Sequence, residues 1–178
     1  MSYDFHKKPA LLDTNILSAM AKQGRAERYR PVFDFLLENG CELFISDATR
    51  FEFLGYNSSK AEYDSLSDWL SDFVCQPITS DEVRNAGLLS CMYKNHSPAI
   101  SPKQISFVDC INGALLAMRF KHRAFIVTTD LSDYPSFLFD MAHHIPIDDG
   151  NGATHFVGFK IYNEEKLSSL EAAFARSG

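Results

Sequence analysis

Five carboxylates stand where apolar runs end. Asp13 follows Pro9-Ala10-Leu11-Leu12, Glu52 lies between Phe51 and Phe53, Asp109 follows Phe107-Val108, and Asp130 follows Phe125-Ile126-Val127-Thr128-Thr129, with Asp133 close behind. Each segment would bury its apolar side chains and carry a carboxylate to the rim of the core. Carboxylates are rarely buried without a partner. Several gathered at one place would repel each other and raise each other's pKa unless a divalent cation or a ligand stood between them. Hard oxygen donors suit Mg²⁺ or Mn²⁺, and no Cys or His cluster accompanies these acids, which disfavours zinc.

The chain that must position them has 178 residues, 46% hydrophobic and 13% aromatic, enough for one domain with a sizeable core. No apolar run approaches the ~20 residues that span a bilayer, and Lys7 and Lys8 precede no apolar leader segment, so a cytosolic protein without a membrane partner is expected. Cys41, Cys75, Cys91 and Cys110 form no CxxC pair and read as small core hydrophobes in a reducing compartment. The formal charge of −6 argues against gripping nucleic acid by bulk electrostatics, but does not exclude a nucleic-acid substrate. Basic residues cluster at Arg25–Arg30 and Arg119–Arg123. The second cluster reads as cations at a helix C-terminus, with a phosphate-contacting patch as the alternative.

The coarse pattern alternates strand and helix. A strand over Ala10–Leu12 leads to a helix over Thr14–Lys22, and a second helix reaches Glu38, where Asn39-Gly40 signals its end. A strand over Glu42–Ser46, helices over Asp47–Tyr56 and Ala61–Phe73, and a short strand or link over Val74–Ile78 follow. Ser80 opens a helix to about Lys94, and Ser97–Pro102 reads as a loop. A long helix from Lys103 or Ser106 to His122 precedes a strand over Ala124–Thr129. A short helix is expected around Ser136–Met141. The tail adds a strand over His155–Tyr162 and a helix from Asn163 through Phe174. His143 and His144 read as surface or core-edge residues rather than ligands. The expected fold class is α/β: a three-layer sandwich with a central parallel sheet flanked by helices, a core over about 9–145, and a strand-helix extension over about 146–178.

Ligands of such sheets bind beyond the carboxyl ends of the strands. Asp13 and Asp130 end two strands, Asp109 lies near the start of the long helix, and Glu52 lies on the helix after the second strand. All four can therefore meet in one crevice. Each also has an ordinary structural role available. Asp13 before Thr14 could be an N-cap, Ser106-Phe107-Val108-Asp109 fits a capping box, and Asp133 could cap the short helix after it. Glu52 weakens these alternatives, because in mid-helix it caps nothing.

Leu11-Leu12-Asp13-Thr14-Asn15, Ser46-Asp47-Ala48-Thr49-Arg50-Phe51-Glu52, Ser106-Phe107-Val108-Asp109 and Ile126-Val127-Thr128-Thr129-Asp130-Leu131-Ser132-Asp133-Tyr134 together resemble the ordered motifs of PIN-domain ribonucleases, a group that includes VapC-type toxins. The resemblance covers residues 9 to about 135 and departs from the family at Asn112 and Gly113, where relatives are often more aliphatic. It implies a PIN-like fold and an endoribonuclease dependent on Mg²⁺ or Mn²⁺. In its terms Asp13, Glu52, Asp109 and Asp130 match metal-binding acids, Asp133 an additional acid, and Asn15 and Thr128 supporting polar positions. It also implies an RNA substrate, a homodimer, and a cognate antitoxin if the chain is the toxin of a toxin–antitoxin pair.

Two other functions compete. A haloacid-dehalogenase-type phosphatase also begins with an Asp after its first strand, but needs a second acid where this chain has Asn15. An inactive PIN-like module that binds RNA or protein is the non-enzymatic alternative. No phosphate-binding G-x-x-x-x-G-K-[ST] run or G-x-S-x-G elbow occurs.

Overall fold

In a computed structural model of the protein, residues 3–22, 24–57, 59–96, 105–148 and 150–176 are described. In chain order the elements are β1 (Pro9–Leu12), α1 (Thr14–Ala21), α2 (Ala26–Glu38), β2 (Glu42–Ser46), α3 (Asp47–Gly55), α4 (Lys60–Leu70), β3 (Val74–Gln76), α5 (Ser80–His96), α6 (Phe107–Leu115), β4 (Phe125–Thr128), β5 (Phe139–Asp148), β6 (Thr154–Tyr162) and α7 (Glu164–Arg176). The loop expected over Ser97–Pro102 lies outside the described residues.

Local chemistry accounts for most boundaries. Ser46, Ser59 and Ser106 each accept a hydrogen bond from the backbone N–H three residues on, which starts α3, α4 and α6. The end of α2 needs a left-handed residue, and Gly40 supplies it at φ +63°. Its N–H then reaches Leu37 O and that of Cys41 reaches Leu36 O, both at 2.9 Å.

The strands order as β3-β2-β1-β4-β6-β5. β1 pairs in parallel with β2 and β4, and β2 with β3, but β6 runs antiparallel between β4 and β5. The sheet is therefore mixed rather than the parallel one expected. β6 enters the sheet instead of extending it, and Val157, Gly158, Phe159 and Lys160 are all buried. Helices cover both faces. Leu11 and Ile126 face a core with α5 and α6, while Ala10, Leu12, Phe125 and Val127 face a second core with α1 and α2. The period-two alternation of β1 and β4 thus divides their side chains between two layers. Replacing the fully buried Leu11 by Ala would cost ~2–5 kcal/mol on core-cavity precedent.

Two further expectations, both about helices, are corrected. Ser136–Met141 is a single turn, closed by Leu138 N–H and Phe139 N–H on Pro135 O, because Phe139 already pairs with Tyr162 as the start of β5. His143 and His144, on β5, are core-edge and surface residues as expected: His143 is half-buried and stacks on Phe35 at a centroid distance of 4.6 Å, and His144 is exposed. The long helix changes pitch: α6 ends at Leu115, Leu116–Phe120 forms a π-helical turn and Lys121–Arg123 a 3₁₀ turn. Arg119 consequently turns inward to Glu82 Oε1 at 2.8 Å and Gln76 Oε1 at 3.0 Å, and Lys121 meets Glu164 at 2.8 Å. Arg119 and Lys121 thus cross-link elements, while Arg123 serves the helix end as expected, donating to Phe120 O at 3.3 Å and to Arg119 O at 3.0 Å. No disulfide joins the four cysteines, and Cys91 is exposed rather than part of the core.

Candidate carboxylate site

The C-terminal ends of β1 and β4 are neighbours, with Leu12 opposite Val127. Asp13 N–H continues the ladder to Val127 O at 3.2 Å, which brings its carboxylate to the strand ends. There it is also the N-cap of α1, accepting from Thr14 N–H on Oδ1 at 2.7 Å. Its Oδ2 accepts from Asn15 Nδ2 at 2.7 Å and from Thr128 Oγ1 at 2.6 Å. Asn15 and Thr128 brace each other as well, at 3.1 Å, and Asn15 Oδ1 accepts from Thr129 N–H at 3.1 Å. The position that would carry the second acid of a phosphatase therefore carries a strand-to-strand brace. Only 3% of Asp13 is exposed, and burial, with help from the nearby Asp109 charge, pushes its carboxyl up to about 7 despite the three donors.

Asp109 arrives from the opposite side, in the first turn of α6. Ser106 accepts from Asp109 N–H at 3.1 Å and donates to Asp109 Oδ2 at 2.6 Å, so the side chain is turned back over the helix start. Tyr134, fully buried, donates to Oδ1 at 3.3 Å. Burial raises the Asp109 carboxyl, and the charges of Glu52 and Asp130 raise it further. Glu52, half-buried on α3, accepts from Thr14 Oγ1 at 2.5 Å. Asp130 follows β4, its N–H bonded to Thr128 Oγ1 at 3.0 Å and its Oδ1 accepting from Ser132 Oγ at 2.6 Å.

Asp13, Glu52, Asp109 and Asp130 thus stand close enough to act on one another through Asp109. Asp133 is buried in the turn after Asp130, and its charge is felt at Tyr93 and Cys110, on the α5–α6 side.

Several contributors escaped the sequence reading. Thr14 links Asp13 to Glu52, and Tyr134 holds Asp109; both lie inside the quoted motifs, but nothing in their spacing assigned them these roles. Asn112 does leave a trace, a lone amide in the apolar run of α6, one turn past Asp109. It is fully buried, accepts from Ser46 Oγ at 2.6 Å and donates to Thr49 Oγ1 at 3.1 Å. Thr49 N–H closes the ring on Ser46 Oγ at 3.1 Å. This cycle locks α3 to α6, and hence the helix of Glu52 to that of Asp109.

Among the described residues no three His, Cys, Asp or Glu side chains form a ready-made cation cage. The hydroxyls of Thr14, Thr128, Ser106 and Ser132 occupy carboxylate oxygens instead. The donor set nevertheless fits a hard, hydrated cation. Mg²⁺ commonly keeps several waters and binds through one or two carboxylates. A buried acid with a strongly raised pKa beside like charges is also the environment that a cation relieves.

Comparison with known proteins gives fold-level likeness. No family model matches the chain, and no curated protein matches it. Among solved structures it is similar to FitAcB from Neisseria gonorrhoeae, at 20% identity and a TM-score of 0.53 over 70% of this chain and 90% of that one. It is similar to FitAB bound to the IR36 DNA fragment, at 19% identity and a TM-score of 0.50 over 68% of this chain and 85% of that one. VapBC2 from Rickettsia felis, bound to a promoter DNA fragment, aligns at 16% identity and a TM-score of 0.49, over 71% of this chain and 90% of that one.

Membership of the PIN-domain ribonucleases of VapC type, expected from the four motifs, is corrected by these findings. FitAcB and FitAB, at 20% identity or less, carry the fold without a family assignment. The physical reason lies in the motifs themselves. Asp13 is also an N-cap, Ser106 is the N-cap of α6, and Asp130 also follows a strand, so each short motif is one that α/β crossovers reuse. The likeness supports an α/β fold of the kind found in those complexes.

Proposed function

We propose that the protein is a divalent-metal-dependent nuclease that hydrolyses phosphodiester bonds in RNA and works within a toxin–antitoxin pair. The observation that carries the reading is Asp13, buried at the end of β1, pushed up to about 7 and facing a second raised carboxyl at Asp109. Structural economy alone would replace such a pair by neutral side chains. Asp13, Glu52, Asp109 and Asp130 would hold Mg²⁺ or Mn²⁺, directly or through water. The bound ion would supply Lewis-acid chemistry, lowering the pKa of water and offsetting charge that develops at phosphorus. Thr128 and Asn15 would keep the Asp13 carboxylate aimed, and Ser106 and Tyr134 would do the same for Asp109. Placing the oxygens before substrate arrives leaves little reorganisation for the reaction itself.

The partner side of the reading rests on the likeness to FitAcB and FitAB. Phe51 and Tyr63 are exposed around a groove of about 400 Å³ between α3 and α4, an apolar surface that a protein partner could cover. The non-catalytic alternative, an RNA- or protein-binding module, draws on the hydroxyls that already occupy the carboxylates. One assay separates the two. Single-stranded RNA is incubated with the wild type and Asp109→Asn, in Mn²⁺ and in EDTA. Cleavage that needs Mn²⁺ and Asp109 supports the nuclease; cleavage indifferent to both, or none at all, removes it.

A further inference from the structure

Lys160 is among the most unusual side chains in the molecule. It lies on β6, inside the sheet, and only 5% of it is exposed. Lysine is seldom buried so deeply without a specific partner. Its Nζ donates to Leu131 O at 2.8 Å and also to Tyr134 O. Both acceptors belong to the turn that carries Asp130 and Asp133. The same face of β6 offers Gly158, where an added Cβ would meet Leu131 Cδ2 at 2.3 Å, so the Leu131 side chain lies directly on the glycine.

Bonds within the turn hold it as well, Ser132 N–H and Oγ both donating to Asp130 Oδ1 at 3.3 and 2.6 Å. At its start Asp130 N–H bonds to Thr128 Oγ1 at 3.0 Å, and within it Asp133 N–H reaches Asp130 O at 3.3 Å. Lys160 anchors the far end, and through Tyr134 its reach extends further. Tyr134 gives its backbone carbonyl to Lys160 and its hydroxyl to Asp109 Oδ1 at 3.3 Å. One ammonium group thereby stands behind both Asp130 and Asp109.

We propose that Lys160 is a positioning residue of the carboxylate site, which it serves by fixing the Asp130–Tyr134 turn and, through Tyr134, the Asp109 side chain. The proposal rests on the metal-dependent reading above. Methionine would fill a similar volume without a charge to desolvate, but it would leave the Leu131 and Tyr134 carbonyls without this donor. The three donors of an ammonium are useful here because two carbonyls of one tight turn converge on a single point.

The test uses the full chain as wild type, Lys160→Met, Asp130→Asn and the double variant. Mn²⁺ affinity is read by calorimetry, and kcat and KM on single-stranded RNA are read in Mn²⁺. Supporting groups behind metal ligands typically carry ~10–100-fold effects. Lys160→Met should therefore weaken Mn²⁺ binding and lower kcat by about tenfold or more, with KM for RNA little changed. In the Asp130→Asn background the same change should cost clearly less, because part of what Lys160 positions is already gone. Wild-type affinity and turnover in Lys160→Met, or an equal loss in both backgrounds, would overturn the proposal. If Lys160→Met does not fold, Lys160→Gln, which retains an amide donor, should show an intermediate loss in both readouts, and wild-type values in it would overturn the proposal. A wild type that binds Mn²⁺ without cutting RNA removes the nuclease reading, while weaker Mn²⁺ binding by Lys160→Met still upholds the positioning role.

Discussion

Asp13 and Glu52 share one neighbour and differ in almost everything else. Thr14 gives its N–H to Asp13 and its hydroxyl to Glu52. Asp13 is buried at a strand end, held by three donors from α1 and β4, whereas Glu52 rides half-buried on α3 with the Thr14 hydroxyl against it. The first has a fixed aim at a cost in desolvation; the second keeps solvent and freedom. Such a division suits a site in which one acid sets the geometry and another adjusts to what binds.

The widest separation between the two should appear in activity. Asp13→Asn is expected to lower Mn²⁺-dependent RNA cleavage by at least ~10²-fold in single-turnover assays, and Glu52→Gln by about tenfold. Equal losses would erase the distinction.

Stability against pH comes next. The folded Asp13 carboxyl titrates at about 7, above its ordinary value of 3.8, so the folded state holds this proton more tightly than the unfolded chain does. Its contribution is full at low pH and is lost as pH rises between about 4 and 7, by up to about 4 kcal/mol as an upper bound. Denaturant unfolding in EDTA should therefore show the metal-free protein weakening across that window, with saturating Mn²⁺ restoring stability at pH 7.5. A flat profile would mean that the Asp13 charge is already compensated.

A smaller effect probes the brace. Thr128→Val removes the hydroxyl bonded to Asp13 and Asp130 N–H and should destabilise the fold by ~1–3 kcal/mol in urea unfolding. Smallest of all, Glu52→Gln should leave stability within ~0.5 kcal/mol, as expected of a partly solvated acid outside the core. A loss above that would make Glu52 a structural acid like its neighbour.

The same contrast explains what could be read from residues alone. Strand ends at Asp13 and Asp130, the Ser106 capping box and the Asn39-Gly40 stop are local signals, and the elements they bound form where expected. The four acids could be brought to one crevice because strand direction and helix start decide where their Cα atoms lie. What remained hidden depends on contacts distant in sequence. β6 pairs with β4 across the whole of β5, and Lys160 reads as a polar interruption of a strand until Leu131 and Tyr134 are folded beneath it. Tyr134 sits in a turn with no periodicity to show that it is buried. The π-helical turn after Leu115 is equally silent, since the Arg119 it carries pairs with Glu82, far back in the sequence.

The most direct test of the carboxylate site is the position of Mn²⁺ in crystals of the wild type, read from anomalous scattering. The account predicts a single strong peak between Asp13 and Asp109, within direct or one-water reach of both and nearer to Asp13 than to Asp133. No peak there at saturating Mn²⁺, or a peak at another part of the surface, would contradict it.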